Sequence, residues 1–141
     1  MSDAQQPTVQ TTGVEHTGFI VNDTEKLASW YVATFGAQEI SRSGDQPPII
    51  FLSFGRAALI ELIPAANPSA AKSSDHVHLC LSVSDISSAL TSLEADGIRL
   101  DREPFDAYDG SRVAFLRDPE GNLVQLVQRV DGSAVHRAVF D

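Results

Sequence analysis

Two stretches of this chain, 62 residues apart, share one pattern. His16-Thr17-Gly18-Phe19-Ile20-Val21-Asn22-Asp23 and His78-Leu79-Cys80-Leu81-Ser82-Val83-Ser84-Asp85 both read H-x-x-x-x-V-x-D. An internal repeat constrains a fold more than composition does, because each copy must form the same supersecondary unit. The match continues beyond these segments. After Asp23 an amphipathic run carries Leu27, Trp30, Tyr31 and Phe35 and stops at Gly36; after Asp85 another carries Ile86, Ala89, Leu90 and Leu93 and stops at Gly97. Asp at the start and Gly at the end are what helix capping asks for, so each run is expected to be a helix. Ala58-Leu59-Ile60-Glu61-Leu62-Ile63 then matches Asn122-Leu123-Val124-Gln125-Leu126-Val127 at an offset of 64.

Two further strand-like runs separate each helix from its last strand. They fall near 38–42 and 49–54 in the first half, and near 98–103 and 111–116 in the second. Gly55-Arg56 and Asp118-Pro119-Glu120-Gly121-Asn122 provide the closing turns. The expectation is an α+β fold of two βαβββ modules, 13–64 and 75–129, within one domain over 13–129. Residues 1–12 are polar and expected to be a flexible segment, and 130–141 read as a C-terminal tail without clear period.

Side chains alternate across a strand, so His16, Gly18 and Ile20 point one way while Thr17, Phe19 and Val21 point the other. His78, Cys80 and Ser82 likewise share a face, opposite the greasier Leu79, Leu81 and Val83. Both histidines thus lie on the side away from their own helix. The same rule sets Glu61 beside Leu59 and Ile63, and Gln125 beside Leu123 and Val127. A carboxylate in the middle of an apolar strand is costly to bury without a partner charge, and a cation solves that problem. If the modules associate about a local twofold axis, His16, Glu61, His78 and Gln125 converge on one cleft. Two imidazoles, a carboxylate and an amide oxygen suit a divalent ion such as Zn, Ni, Co, Mn or Fe, with room left for a substrate that chelates through two oxygens.

The bulk properties narrow the partners. A chain of 141 residues can bury a core without disulfides or metal staples, so a bound metal would serve chemistry. The net charge of −9 argues against nucleic acid and anionic membranes, which need basic patches, and favours a small molecule. Cys80 is the one cysteine, which excludes an intrachain disulfide and fits a reducing compartment. The apolar runs are strand-sized and the start lacks a signal-peptide pattern, so a cytoplasmic location is expected.

The segments VEHTGFIVND, WYVATFGA, HLCLSVSD and VAFLRDPEGNLVQL together resemble the vicinal oxygen chelate superfamily, the group of glyoxalase I, bleomycin-resistance proteins and extradiol dioxygenases. The resemblance spans roughly 14–129. It implies eight strands in a partly closed sheet around a central cleft, with metal ligands on the first and last strand of each module. Those strands carry His16, Glu61, His78 and Gln125. Glyoxalase I-like members usually place Glu at the last of these positions, where this chain has Gln125; its Glu stands in the first module, at Glu61. The resemblance implies a metal-dependent lyase or isomerase, with Glu61 as the base that yields an enediolate or enolate, and a homodimer. The alternatives are a metal-free, bleomycin-resistance-like binding protein and an Fe(II) dioxygenase using His16, His78 and Glu61. His76, Cys80, Tyr108 and Arg112 are expected to line the cleft.

Overall fold

A computed structural model of the chain describes residue 10 and residues 14–56, 58–67 and 77–141. The first module comprises β1 (His16–Val21), α1 (Thr24–Phe35), β2 (Gln38–Arg42), β3 (Ile50–Ser53) and β4 (Leu59–Pro64). The second comprises β5 (His78–Ser82), α2 (Ile86–Ala95), β6 (Phe105–Asp106), β7 (Arg112–Arg117) and β8 (Leu123–Gln128), and α3 (Ala134–Phe140) follows. The fold is α+β, and among the described residues its eight strands divide into two four-stranded sheets rather than a closed barrel. Their strand orders, β1-β4-β3-β2 and β5-β8-β7-β6, are the same order in each repeat. In both sheets the first and last strands of the module run parallel, which the helical crossover between them makes possible.

Caps delimit the helices as the sequence predicts. The Asp23 side chain accepts a hydrogen bond from the Lys26 N–H, and the Asp85 side chain from that of Ser88. Gly36 closes α1 at φ 69°, a left-handed conformation in which a Cβ would be strained. The apolar stripe of α1, through Leu27, Ala28 and Tyr31, covers the face of the first sheet that holds Val21, Ile50, Leu52, Ile60 and Leu62. Ile86 and Leu93 of α2 do the same for Ala114, Leu116, Val124 and Leu126, and all of these belong to one continuous core. Each such Leu or Ile contributes about 1.5–3 kcal/mol by leaving water.

Polar contacts tie the halves together where the β7–β8 turn meets α1. The Tyr31 hydroxyl donates to Asp118 Oδ2 at 2.8 Å, and the Glu120 carboxylate accepts from the backbone N–H groups of Asn22 and Asp23. Asp118, only 4% exposed, also accepts from the amides of Glu120 and Asn122 and from Asn122 Nδ2. A turn residue with no expected role beyond its loop is therefore a buried joint.

Two expectations need correction. The strand expected over 98–103 is reduced to one antiparallel bridge, Leu100 to Leu116, and β6 lies further on at Phe105–Asp106. Pro104 stands between them with no N–H to give to a ladder, and pairing resumes only after it. The tail over 130–141 is not without structure: Ala134–Phe140 forms α3, with Ser133 accepting from the His136 N–H as its N-cap. The segment expected to be flexible, 1–12, lies outside the described residues except for residue 10. Among the described residues, no helix is long and apolar enough to cross a membrane.

Candidate functional site

Alternation along β1 and β4 has the consequence expected of it. Val21, Ile60 and Leu62 are buried against α1, whereas His16, Gly18, Glu61 and Ile63 occupy the opposite face. Gly18 is the register neighbour of Glu61 in the parallel pair. With no side chain at Gly18, Glu61 can lean across β1, and His16 Nε2 comes within 2.9 Å of Glu61 Oε2. Glu15 Oε1 lies 2.9 Å from the other ring nitrogen of His16. The edge of His16 meets the ring of Phe51, the register partner of Glu61 on β3, at a centroid distance of 5.3 Å. The Glu61 side chain is 19% exposed and that of His16 is 32% exposed, so the pair is partly withdrawn from water yet reachable.

The second sheet repeats this plan. Cys80 is the register neighbour of Gln125, and Phe115 is the register partner of Gln125. His78 meets Phe115 edge to face at 5.7 Å, as His16 meets Phe51. Further groups gather here. Phe105 stacks on Phe115 at 6.1 Å, and the Arg102 guanidinium lies 4.5 Å from the centre of the same ring. Val113, Phe115, Leu123 and Val127 form a small apolar cluster on this face, separate from the main core.

Within one chain, then, the structure joins His16 to Glu61 and places His78 and Gln125 at matching positions on the other sheet. Among the described residues, no three His, Cys, Asp or Glu side chains come close enough to share an ion. His16 also borders a crevice of about 360 Å³ that includes Leu59 and, from the second module, Leu79, Cys80 and Leu81. Of the other expected cleft residues, Cys80 thus reaches the site's edge. Loss of solvation around its sulfur raises the thiol above the ordinary range, partly offset by Arg129, which makes it a poor nucleophile. Arg112 shares the strand face of Ala114 and Leu116, opposite Phe115, and pairs with Asp106 at 3.2 Å. Tyr108 is 94% exposed and borders neither that crevice nor the larger cavity between the modules. His76 lies outside the described residues.

Sequence reasoning overlooked Phe51, Phe115 and Arg102. The two phenylalanines are 64 residues apart, the same offset as Glu61 and Gln125, so the repeat itself held that signal. Arg102 was hidden in a run expected to be a regular strand.

The His16–Glu61 separation can be set beside that of two ligands on one ion. Two ligand atoms about 2.1 Å from one ion stand about 3 Å apart when they occupy adjacent octahedral positions. The observed 2.9 Å is of that order, and it is equally the separation of a histidine–carboxylate pair.

Comparison with known proteins agrees with this architecture. Residues 13–126 match the family model of the Glyoxalase/Bleomycin resistance protein/Dioxygenase superfamily. A probable lactoylglutathione lyase from Vibrio cholerae is 27% identical over 129 residues, covering 84% of this chain and 92% of that protein. Among solved structures, a member of the same superfamily from Sphaerobacter thermophilus superposes with a TM-score of 0.70 at 21% identity, covering 84% of this chain and 98% of that one. TnmS3, an antibiotic binding protein from a Streptomyces species, gives a TM-score of 0.70 at 22% identity, with coverage of 86% and 99%.

Proposed function

Since the chain belongs to the Glyoxalase/Bleomycin resistance protein/Dioxygenase superfamily, we propose that it is a metal-dependent lyase or isomerase acting on a small substrate with adjacent oxygen atoms. The observation that carries this reading is the half-buried Glu61 carboxylate held against His16 Nε2 on an otherwise apolar strand. Lyase chemistry also draws support from the lactoylglutathione lyase relative.

In this reading His16 and Glu61 hold one side of a divalent ion, and His78 and Gln125 of a second copy hold the other. The two sheets carry these pairs at equivalent places, so a twofold pairing of chains gives each ion a complete set. When bound, the ion supplies Lewis-acid polarisation of a substrate carbonyl. Glu61 takes the proton from the neighbouring carbon and returns it, and His16 fixes the carboxylate's direction. Phe51, Leu59 and Ile63 border Glu61 on its strand face and withdraw the carboxylate partly from water, leaving it reachable by substrate and solvent. Arg102 lies over the Phe115 ring that His78 also meets, its guanidinium paired with Asp101 at 3.2 Å.

The test is Glu61→Gln, with metal content and solvent-deuterium incorporation into substrate measured together. The reading expects metal to remain while deuterium incorporation is lost; undiminished incorporation overturns Glu61 as base. A second reading, a metal-free sequestering protein, draws on the aromatic group around Phe115. Elemental analysis separates the two, since metal bound in proportion to protein and lost in His16→Ala and in His78→Ala supports the enzyme alone. A dioxygenase would in addition consume oxygen with a catechol.

A further inference from the structure

Between the two modules lies a second cavity of about 960 Å³, at the upper end of the roughly 300–1,000 Å³ usual for small-molecule sites. None of His16, Glu61, His78 or Gln125 borders it. Its apolar walls include Phe35 and Phe54 of the first module and Phe140 of α3, and its polar rim includes Arg56 and Ser84. Two other charged groups at the rim are already paired: Arg129 with Asp109 at 3.2 Å, and Asp131 with His136 at 3.4 Å. Arg56 donates through Nη1 to the Val139 carbonyl at 3.0 Å and covers the Phe140 ring at 5.0 Å. A guanidinium has five N–H donors, and the described contacts engage one of them.

The repeat shows what those donors could meet. On the β7–β8 turn, Glu120 lays its carboxylate across the amides of Asn22 and Asp23, where β1 passes into α1. The repeat offsets make Arg56 the counterpart of Glu120, and Ser84 and Asp85 the counterparts of Asn22 and Asp23. One half therefore supplies its own carboxylate at this junction. The other supplies a guanidinium, and no described side chain accepts from the amides of Ser84 or Asp85. The next amide, that of Ile86, is taken by Gln128 Oε1 at 2.9 Å. The Asp85 cap does not forbid an anion here, because Asp23 holds the same position beside Glu120.

We propose that this cavity binds a small organic anion, its headgroup taken by Arg56 and the Ser84 amide and its apolar body laid against Phe35, Phe54 and Phe140 beneath α3. The chain is acidic overall, so a local unspent cation over aromatic walls selects such a ligand by charge as well as by fit. Arg56 and Phe54 also border the crevice that His16 lines, so the two spaces adjoin, but the proposal draws on none of the four candidate metal ligands.

Fluorescence titration of the full chain with the aromatic sulfonate 8-anilinonaphthalene-1-sulfonate, and with the neutral N-phenyl-1-naphthylamine, tests this. One equivalent of the sulfonate should bind. Arg56→Gln should weaken it about tenfold or more while leaving the neutral probe unchanged, and Arg56→Lys should recover most of the loss. His78→Ala should bind the sulfonate as the unaltered chain does. Unchanged sulfonate affinity in Arg56→Gln overturns the proposal, and so does an equal loss in His78→Ala. If Arg56→Gln does not fold, Phe140→Ala takes its place: it should weaken both probes, and no effect on either overturns the site.

Discussion

Glu61 shows how a single residue can be read twice. Alternation along an apolar strand marks it as a carboxylate on the face away from the helix, and the structure sets it there, 2.9 Å from His16. A general base in such a position is worth about a hundred- to ten-thousandfold in rate, so Glu61→Gln should lower kcat by that order with metal content retained. His16→Ala should instead lose metal, as elemental analysis would show. Neither Phe51 nor Phe115 was singled out in the sequence, because a phenylalanine in a strand signals burial and nothing more. Their role as rings against which both histidines rest depends on cross-strand register, and no single strand encodes register.

The elements themselves were legible wherever local chemistry determines them. Asp caps, glycine stops and the alternation of β1, β4, β5 and β8 all act within a few residues. β6 and α3 were not legible in the same way, since Pro104 displaces the first and the second gains its place from contacts such as Arg56 with Val139. The joint between α1 and the β7–β8 turn is likewise invisible locally: Tyr31 and Asp118 are 87 residues apart. Tyr31→Phe leaves that buried carboxylate one donor short and should cost about 1–3 kcal/mol, measurable by urea unfolding. Burial, and then the neighbouring Asp118, push the Tyr31 hydroxyl well above its ordinary value. Its folded pKa exceeds its unfolded one, so the stability it adds is complete below about pH 10, the unfolded value, and is lost as pH rises beyond it. Alkaline unfolding, followed by circular dichroism, should therefore accompany the 295 nm absorbance rise of Tyr31 rather than trail it. Tyr31→Phe should remove that part of the absorbance change and flatten the alkaline limb of the stability curve.

At the scale of the whole molecule, the two halves present one half-site each on separate sheets, and the proposed function requires them to meet across a pair of chains. Mixing inactive variants distinguishes this from closure within one chain. A Glu61→Gln chain keeps His78, and a His78→Ala chain keeps Glu61. In a mixed dimer one site receives both altered residues and the other receives neither. Random reassortment after joint refolding makes half the dimers mixed, each with one of two sites intact, so about a quarter of the unaltered activity should return. If the centre closes within a single chain, every site in every dimer retains one altered residue and the mixture stays as inactive as its parts. Sedimentation of the same samples should show a dimer wherever activity returns. A monomer that regains activity on mixing would overturn the cross-chain centre, since complementation between chains needs a stable pair.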